Sequence, residues 1–519
     1  MQERRQSGGL LRGCATAAVT VALLASPAGP VGAAEPPAAG QRAAAPVGDF
    51  HSRPDLDASE LTTTTTGREA PGLLLTTPGH SDGKDFRAAI YDNEGELVWL
   101  AEPEDGRFHV NLEPVTFLGQ PALAMYSGVR DASGESGRGE WLILDTSYRE
   151  VASFQVDGYP TDVHDIAFSP DGSRVLLMSH HSVSHDLSPY GGPADATVVD
   201  TVVQELDVRT GEVTFEWSIL DRVPPTETSR SLANPATKSG AYPLYHVNSL
   251  DYDTDGDLLV SARNTDTVYK VDHDTGEIVW RFGGSESDFA FADPADAPRG
   301  QHDVRRLPDG RLSMFDNGTN RLPEEYSRGA VYELDEDAMT AELVADLQPE
   351  TTVYSQTLGS NRQLPGGHQL VSFGNTGQVV EFDGDQPVFT ATLEEGEMTY
   401  RTERADWHAT PDAPPDAVLG EPAEDGGRTV YMSWNGATDV ALWRVEAGPS
   451  EEDLRTLAVT PRTGFETAAA VTPPADADVY RITALGPFGE PLGSRTATAT
   501  ATAVPETSTP HTPTHVEGS

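Results

Sequence analysis

Residues 246–282 read HVNSLDYDTDGDLLVSARNTDTVYKVDHDTGEIVWRF. Apolar and polar residues alternate on both sides of Asp255-Gly256, and again on both sides of Thr275-Gly276. Alternation broken by a glycine turn marks a β-hairpin, because strand side chains point to opposite faces in turn and glycine accepts the positive φ of tight turns. Two hairpins in succession make a four-stranded unit.

The unit recurs. HDIAFSPDGSRVLLMS (164–179) is followed by VVQELDVRTGEVTFEW (202–217), HDVRRLPDGRLSMFDNG (302–318) by VYELDEDAMTAELVADL (331–347), and NRQLPGGHQLVSFGN (361–375) by VVEFDGDQPVFTATL (379–393). Looser copies lie at 108–128 with 141–156 and at 71–77 with 88–100, the latter completed by a strand near Tyr400 to Trp407. Four strands per repeat of roughly 40 to 80 residues is the pattern of a propeller blade. The expected fold is all-β: a six-bladed β-propeller over residues 71–410. After the proline-rich residues 411–415 the pattern shortens, with Trp434, Trp443 and Tyr480 expected to point inward. Residues 425–493 are therefore expected to form a fibronectin type III-like β-sandwich.

The ends read differently. Residues 1–34 carry Arg4, Arg5 and Arg12, an apolar run from Thr16 to Ala25, and small residues up to Ala33 and Ala34, as a secretory signal peptide does. The run is too short to span a bilayer, so the mature protein is expected to be secreted and soluble. Arg4-Arg5 leaves ordinary Sec export and twin-arginine export both open. Residues 35–70 and 494–519 are biased toward Ala, Pro and Thr and are expected to be a flexible lead-in and a disordered tail.

Without residues 1–34 the chain keeps 32 basic and 81 acidic residues, a formal charge of −49. Such a surface repels nucleic acid and anionic membranes. Cys14 is the one cysteine and precedes the apolar run, so neither lipidation nor a disulfide is expected.

Residues that open the first strands of propeller blades gather at one mouth of the central channel. His164, His246 and His302 each open such a strand, so three imidazoles should meet there; His109, in a second HVN triplet, opens another. Loop capping, metal binding and imidazole catalysis are the available roles. Asp165 and Asp303 directly follow two of the histidines, and alternation turns them to the other face, where they suit orienting a neighbour. DYDTDGDLLVSA (251–262) imitates a calcium loop but ends on Ala262 where a bidentate glutamate belongs, and reads as an acidic turn. His180, His181 and His185 fall in an expected insertion between hairpins and read as loop decoration rather than a ligand set, bordering the channel mouth at most. Arg263 ends the strand paired with the one His246 opens, with Arg281, Arg305 and Arg306 nearby in sequence. Arginine and imidazoles together in so acidic a chain make a local site for a small anion such as sulfate or phosphate.

YHVNSLDYDTDGDLLVSARNTDTVYKVDHDTGEIVWRFGG (245–284), QHDVRRLPDGRLSMFDNG (301–318), VHDIAFSPDG (163–172) and DLSPYGGPADATVVDTVVQELDVRTGEVTFEW (186–217) together resemble the secreted arylsulfotransferase family, in its actinobacterial and fungal branch. The resemblance covers roughly residues 71–410. It implies a six-bladed propeller that moves a sulfuryl group from an aryl sulfate ester to a phenolic acceptor, with no metal, no cofactor and no adenosine-based donor. By motif His302 would be the nucleophile, His164, His246 and Arg263 would hold the sulfate and serve the phenolic oxygen, and Asn248 would bind in the same pocket. A metal-dependent propeller hydrolase or lyase and a non-catalytic glycan-binding propeller are the alternatives.

Overall fold

The computed structural model describes residues 40–42, 50–80, 86–102, 106–129, 139–233, 240–319 and 325–498. Six antiparallel blades surround a channel. Their innermost strands are Glu397–Ala405, Phe108–Phe117, Ala167–Phe168, Val247–Tyr252, His302–Arg306 and Ser360–Gln363, in order of blade. The chain closes its own ring: Glu397–Ala405 returns to pair with Leu73–His80 of the first blade, and this shared blade removes the free edge that an open ring would expose.

Apolar faces of neighbouring blades interdigitate. Met178, Trp217, Tyr245, Val260 and Tyr269 fill the seam between the third and fourth blades, and Trp280, Phe282, Leu312 and Tyr332 that between the fourth and fifth. The sandwich packs a three-stranded sheet, beginning at Asp416–Leu419, against a four-stranded one. Trp434, Trp443 and Tyr480 are buried in its core as expected. It is tied to the first blade through Asn435, whose side chain exchanges two 2.9 Å hydrogen bonds with the backbone of Leu100.

Three boundaries differ from the sequence expectation. Leu61–Thr65, assigned to a flexible lead-in, is a strand along Gln386–Leu393 on the rim of the sixth blade, with Leu61 and Thr63 buried. Its four threonines are β-branched residues that suit a half-buried pleated edge, which composition alone mistook for flexible chain. Strand Pro491–Thr498 runs into the segment assigned to the disordered tail. The sandwich begins near Asp416, ahead of 425. The expected signal peptide and the tail beyond 498 lie outside the described residues. No helix among the described residues is long and apolar enough to cross a membrane.

Candidate active site

The blade-opening strands are bulged where they face the channel. Pairing shifts register between Val247 and Ser249, between His302 and Arg305, and between Val110 and Glu113. Asp303 and Asn111 within these shifts, and His246 just ahead of one, take φ values of 55°, 55° and 54°, unusual for residues with a Cβ. A bulge re-aims side chains, and here it sends successive residues to different levels of the channel.

At one level lie the histidines. Ring centroids are 4.8 Å apart for His164 and His246 and 6.4 Å for His246 and His302, so the three imidazoles share one site. His180 joins them, 5.1 Å from His164 and 5.7 Å from His246. The loop-decoration reading of His180 is thereby corrected: Arg174–His185 is one uninterrupted strand that carries His180 inward, and its long pairing with Ala196–Asp207 replaces the expected insertion. Tyr400 sits 5.8 Å from His164, buried, with no hydrogen-bond partner for its hydroxyl among the described residues. His109 stays outside this group; burial drives its pKa down to about 4.

His302 is 2% exposed, and its Nδ1 lies 2.6 Å from Asn317 Oδ1 and 3.2 Å from the Gly300 carbonyl. Asn317 Nδ2 donates to the carbonyls of Ser355 (2.8 Å) and Leu358 (3.0 Å), so the amide oxygen is the end turned to the imidazole. Both atoms near Nδ1 are acceptors, which places the proton on Nδ1 and the lone pair on Nε2. Gly318 makes the turn possible: its φ is 71°, and a Cβ there would lie 1.8 Å from the Tyr326 carbonyl oxygen. Burial and the charge of Arg263 hold the His302 pKa well below its ordinary value. Burial and the neighbouring His164 do the same for His246, so both rings are neutral near pH 7.

Arg263 is the cation of the site. It is 9% exposed; its guanidinium donates to Asn264 Oδ1 (3.2 Å) and the Gln356 carbonyl (2.8 Å), and its Nε has no partner. No carboxylate among the described residues forms an ion pair with it. Burial and Arg230 lower its pKa, but a guanidinium keeps its charge in a protein. The other arginines near in sequence are neutralised: Arg281 by Glu227, Arg306 by Asp253 and Glu336, Arg305 by Asp165 and Asp303.

At the next level of the channel, Asp165 and Asp303 form a buried lattice with Arg305, Arg362 and Arg401 that ties four blades together. These aspartates hold arginines and backbone N–H groups, Asp165 that of Leu250 and Asp303 that of Asn361. Asn248, expected in the substrate pocket, has one end of its amide engaged, while its Oδ1 is buried without a hydrogen-bond partner among the described residues. Its amide donates to the Gln301 carbonyl at 2.7 Å and braces the strand that carries His302; Asn111 makes the equivalent bond to Val163 and His164 two repeats earlier.

Asp162 was not singled out from the sequence. It is buried, with Oδ1 2.5 Å from His164 Nδ1 and Oδ2 3.3 Å from His180 Nδ1. Burial alone would raise its pKa; the charges of the two imidazoles and the hydrogen bond from His164 win and hold it ionised. One ligand atom from each of Asp162, His164 and His180 falls within 4.8 Å of the others, compact enough for a metal ion. Each carboxylate oxygen instead faces its own imidazole nitrogen, the geometry of one acceptor serving two N–H donors. The calcium-like loop is likewise occupied from within. Lys270 Nζ sits 2.9 Å from Asp253 and 2.5 Å from Asp255, supplying the positive charge a cation would bring.

The family model described as Arylsulfotransferase (ASST) matches residues 119–394, more than half of the 519, from the second blade to the end of the sixth. No curated protein matches the chain. Among solved structures, a Bacteroides caccae protein of unknown function is 14% identical with a TM-score of 0.38, covering 64% of this chain and 98% of its own. A Lactobacillus plantarum protein is 12% identical with a TM-score of 0.35 (80% and 100% covered), and the virginiamycin B lyase of Staphylococcus aureus 9% with 0.29 (65% and 100%). Likenesses this distant carry no chemistry across.

Proposed function

The chain belongs to the arylsulfotransferase family, and on that premise we propose that it is an exported enzyme that moves a sulfuryl group between phenols by way of His302. The observation that carries this reading is the pairing of Arg263, a buried guanidinium with no carboxylate partner among the described residues, with a histidine whose free electron pair is fixed on Nε2. In an acidic protein, a buried cation without a counter-ion is a seat for an anion that arrives with the substrate.

In the first step His302 Nε2 attacks sulfur, the bond from sulfur to the aryl oxygen breaks, and that oxygen takes the electron pair. Nδ1 keeps its proton, held by Asn317 Oδ1, so the N-sulfuryl ring needs no rearrangement. Arg263 faces the charge on the sulfuryl oxygens throughout, the electrostatic contribution that usually dominates group transfer. In the second step an acceptor phenol displaces the imidazole from sulfur, giving ping-pong kinetics.

The test is incubation with 4-nitrophenyl sulfate and a second phenol. Release of nitrophenol with formation of the second aryl sulfate, abolished in His302→Ala, is expected. No release between pH 6 and 10, or equal activity in the variant, would remove the proposal.

A further inference from the structure

We infer that Asp162 is a positioning residue that makes His164 the proton donor to the leaving phenolic oxygen, with His180 sharing the same carboxylate; the inference rests on the sulfuryl-transfer reading above. Four imidazoles crowd the site, and they are not equivalent. His302 is held by a neutral amide and His246 has no carboxylate in ion-pair range among the described residues, whereas His164 and His180 both face Asp162.

Asp162 is fixed rather than mobile. Its backbone N–H donates to Met178 at 2.9 Å and its carbonyl accepts from Trp141 Nε1 at 3.2 Å, between the second and third blades. Its Oδ1 accepts the backbone N–H of His164 at 2.9 Å as well as Nδ1 at 2.5 Å, so carboxylate, main chain and ring form one closed turn. A buried carboxylate so placed accepts the Nδ1 proton of the ring it touches most closely and fixes that ring's orientation. With Nδ1 committed to Asp162, Nε2 is the nitrogen left for the site, and 14% of the His164 side chain stays accessible.

The proton balance follows. As the bond from sulfur to the aryl oxygen breaks, that oxygen takes the proton from His164 Nε2; the ring becomes neutral and keeps Nδ1–H on Asp162. In the return step the acceptor phenol gives its proton to the same nitrogen while its oxygen bonds to sulfur. His180, second on the carboxylate, keeps Asp162 partnered through both steps.

The experiment compares phenol release from 4-nitrophenyl sulfate and unsubstituted phenyl sulfate by the full-length wild type, Asp162→Asn and His164→Asn. Nitrophenolate departs readily without a proton; phenolate does not. Each variant is expected to lose about 100-fold or more on phenyl sulfate and under about 10-fold on 4-nitrophenyl sulfate, in line with the usual worth of a general acid. Partial recovery on phenyl sulfate in Asp162→Glu is expected too. Equal losses on both donors would reduce Asp162 to a structural role and overturn the inference. His164→Asn keeps a polar group beside Asp162 and answers the question if Asp162→Asn does not fold. A wild type that releases phenol from neither donor would reject the sulfuryl-transfer reading itself, a result distinct from the equal-loss outcome.

Discussion

Asn317 Oδ1 accepts the Nδ1 proton of His302 across 2.6 Å, while the amide nitrogen of Asn317 is committed to two backbone carbonyls. The histidine's tautomer is thus set by a loop that belongs to its own blade. Asn317→Ala should lower kcat by about 10- to 100-fold, the usual effect of removing a group that orients a reacting imidazole. Asn317→Asp should shift the acid limb of the rate profile to higher pH, because a carboxylate favours the imidazolium. Unchanged rates and pH profiles in both variants would mean that the contact does not govern the nucleophile.

The neutral ring of His302 is the reactive form, and its pKa in the folded protein is held well below the ordinary value by burial first and Arg263 second. Protonation therefore silences the nucleophile only at pH values well under the 6.5 of a free imidazole. On the acid side, kcat/KM for the aryl sulfate, which reports the free enzyme, should stay flat through pH 6.5 and fall only well below it. A limb centred near 6.5 would show that the burial does not act as described.

Arg263 should not tolerate replacement. Arg263→Met is expected to reduce kcat/KM for the donor by about 100- to 1,000-fold, comparable to the loss of an oxyanion donor elsewhere. Arg263→Lys should recover little of it, since an ammonium lacks the planar fork that already reaches Asn264 and Gln356 while facing the site. Steady-state kinetics on the two variants distinguishes this from a purely steric role, for which lysine would substitute well.

Much of this was legible in the sequence because repeats report topology. The recurring hairpins mark the blades, and the position of His164, His246 and His302 within the repeat puts them at one mouth of the channel. What the repeat could not give was bulge geometry. The hairpin count puts His180 in an insertion between hairpins, whereas the structure straightens it into a strand; the hydrogen bond from the Asn248 amide to Gln301 has no periodic signature either. Asp162 was missed for a related reason: it precedes its blade's first strand, so it has no periodic signature, and only the closed turn with His164 reveals it. The threonines at 62–65 show the converse, a biased composition whose β-branched residues found a sheet edge to cover.

The lysine in the acidic turn carries a stability prediction. Lys270, with its side chain 5% exposed, balances Asp253, Asp255 and Asp257, and Arg306 reaches only the first of these. Lys270→Met should cost about 2 to 3 kcal/mol, part of the cost of breaking a buried pair since Arg306 remains on Asp253. Denaturant unfolding of the variant against the wild type measures this; a change under about 0.5 kcal/mol would mean the ammonium is not the turn's counter-charge.

The covalent intermediate is the centre of the account. Intact-mass spectrometry of the protein after exposure to an aryl sulfate, with no acceptor present, should show a gain of one sulfuryl group, located on His302, lost on addition of a phenol and absent from His302→Ala. Turnover without any mass gain in rapidly quenched samples, or the same gain in His302→Ala, would contradict it.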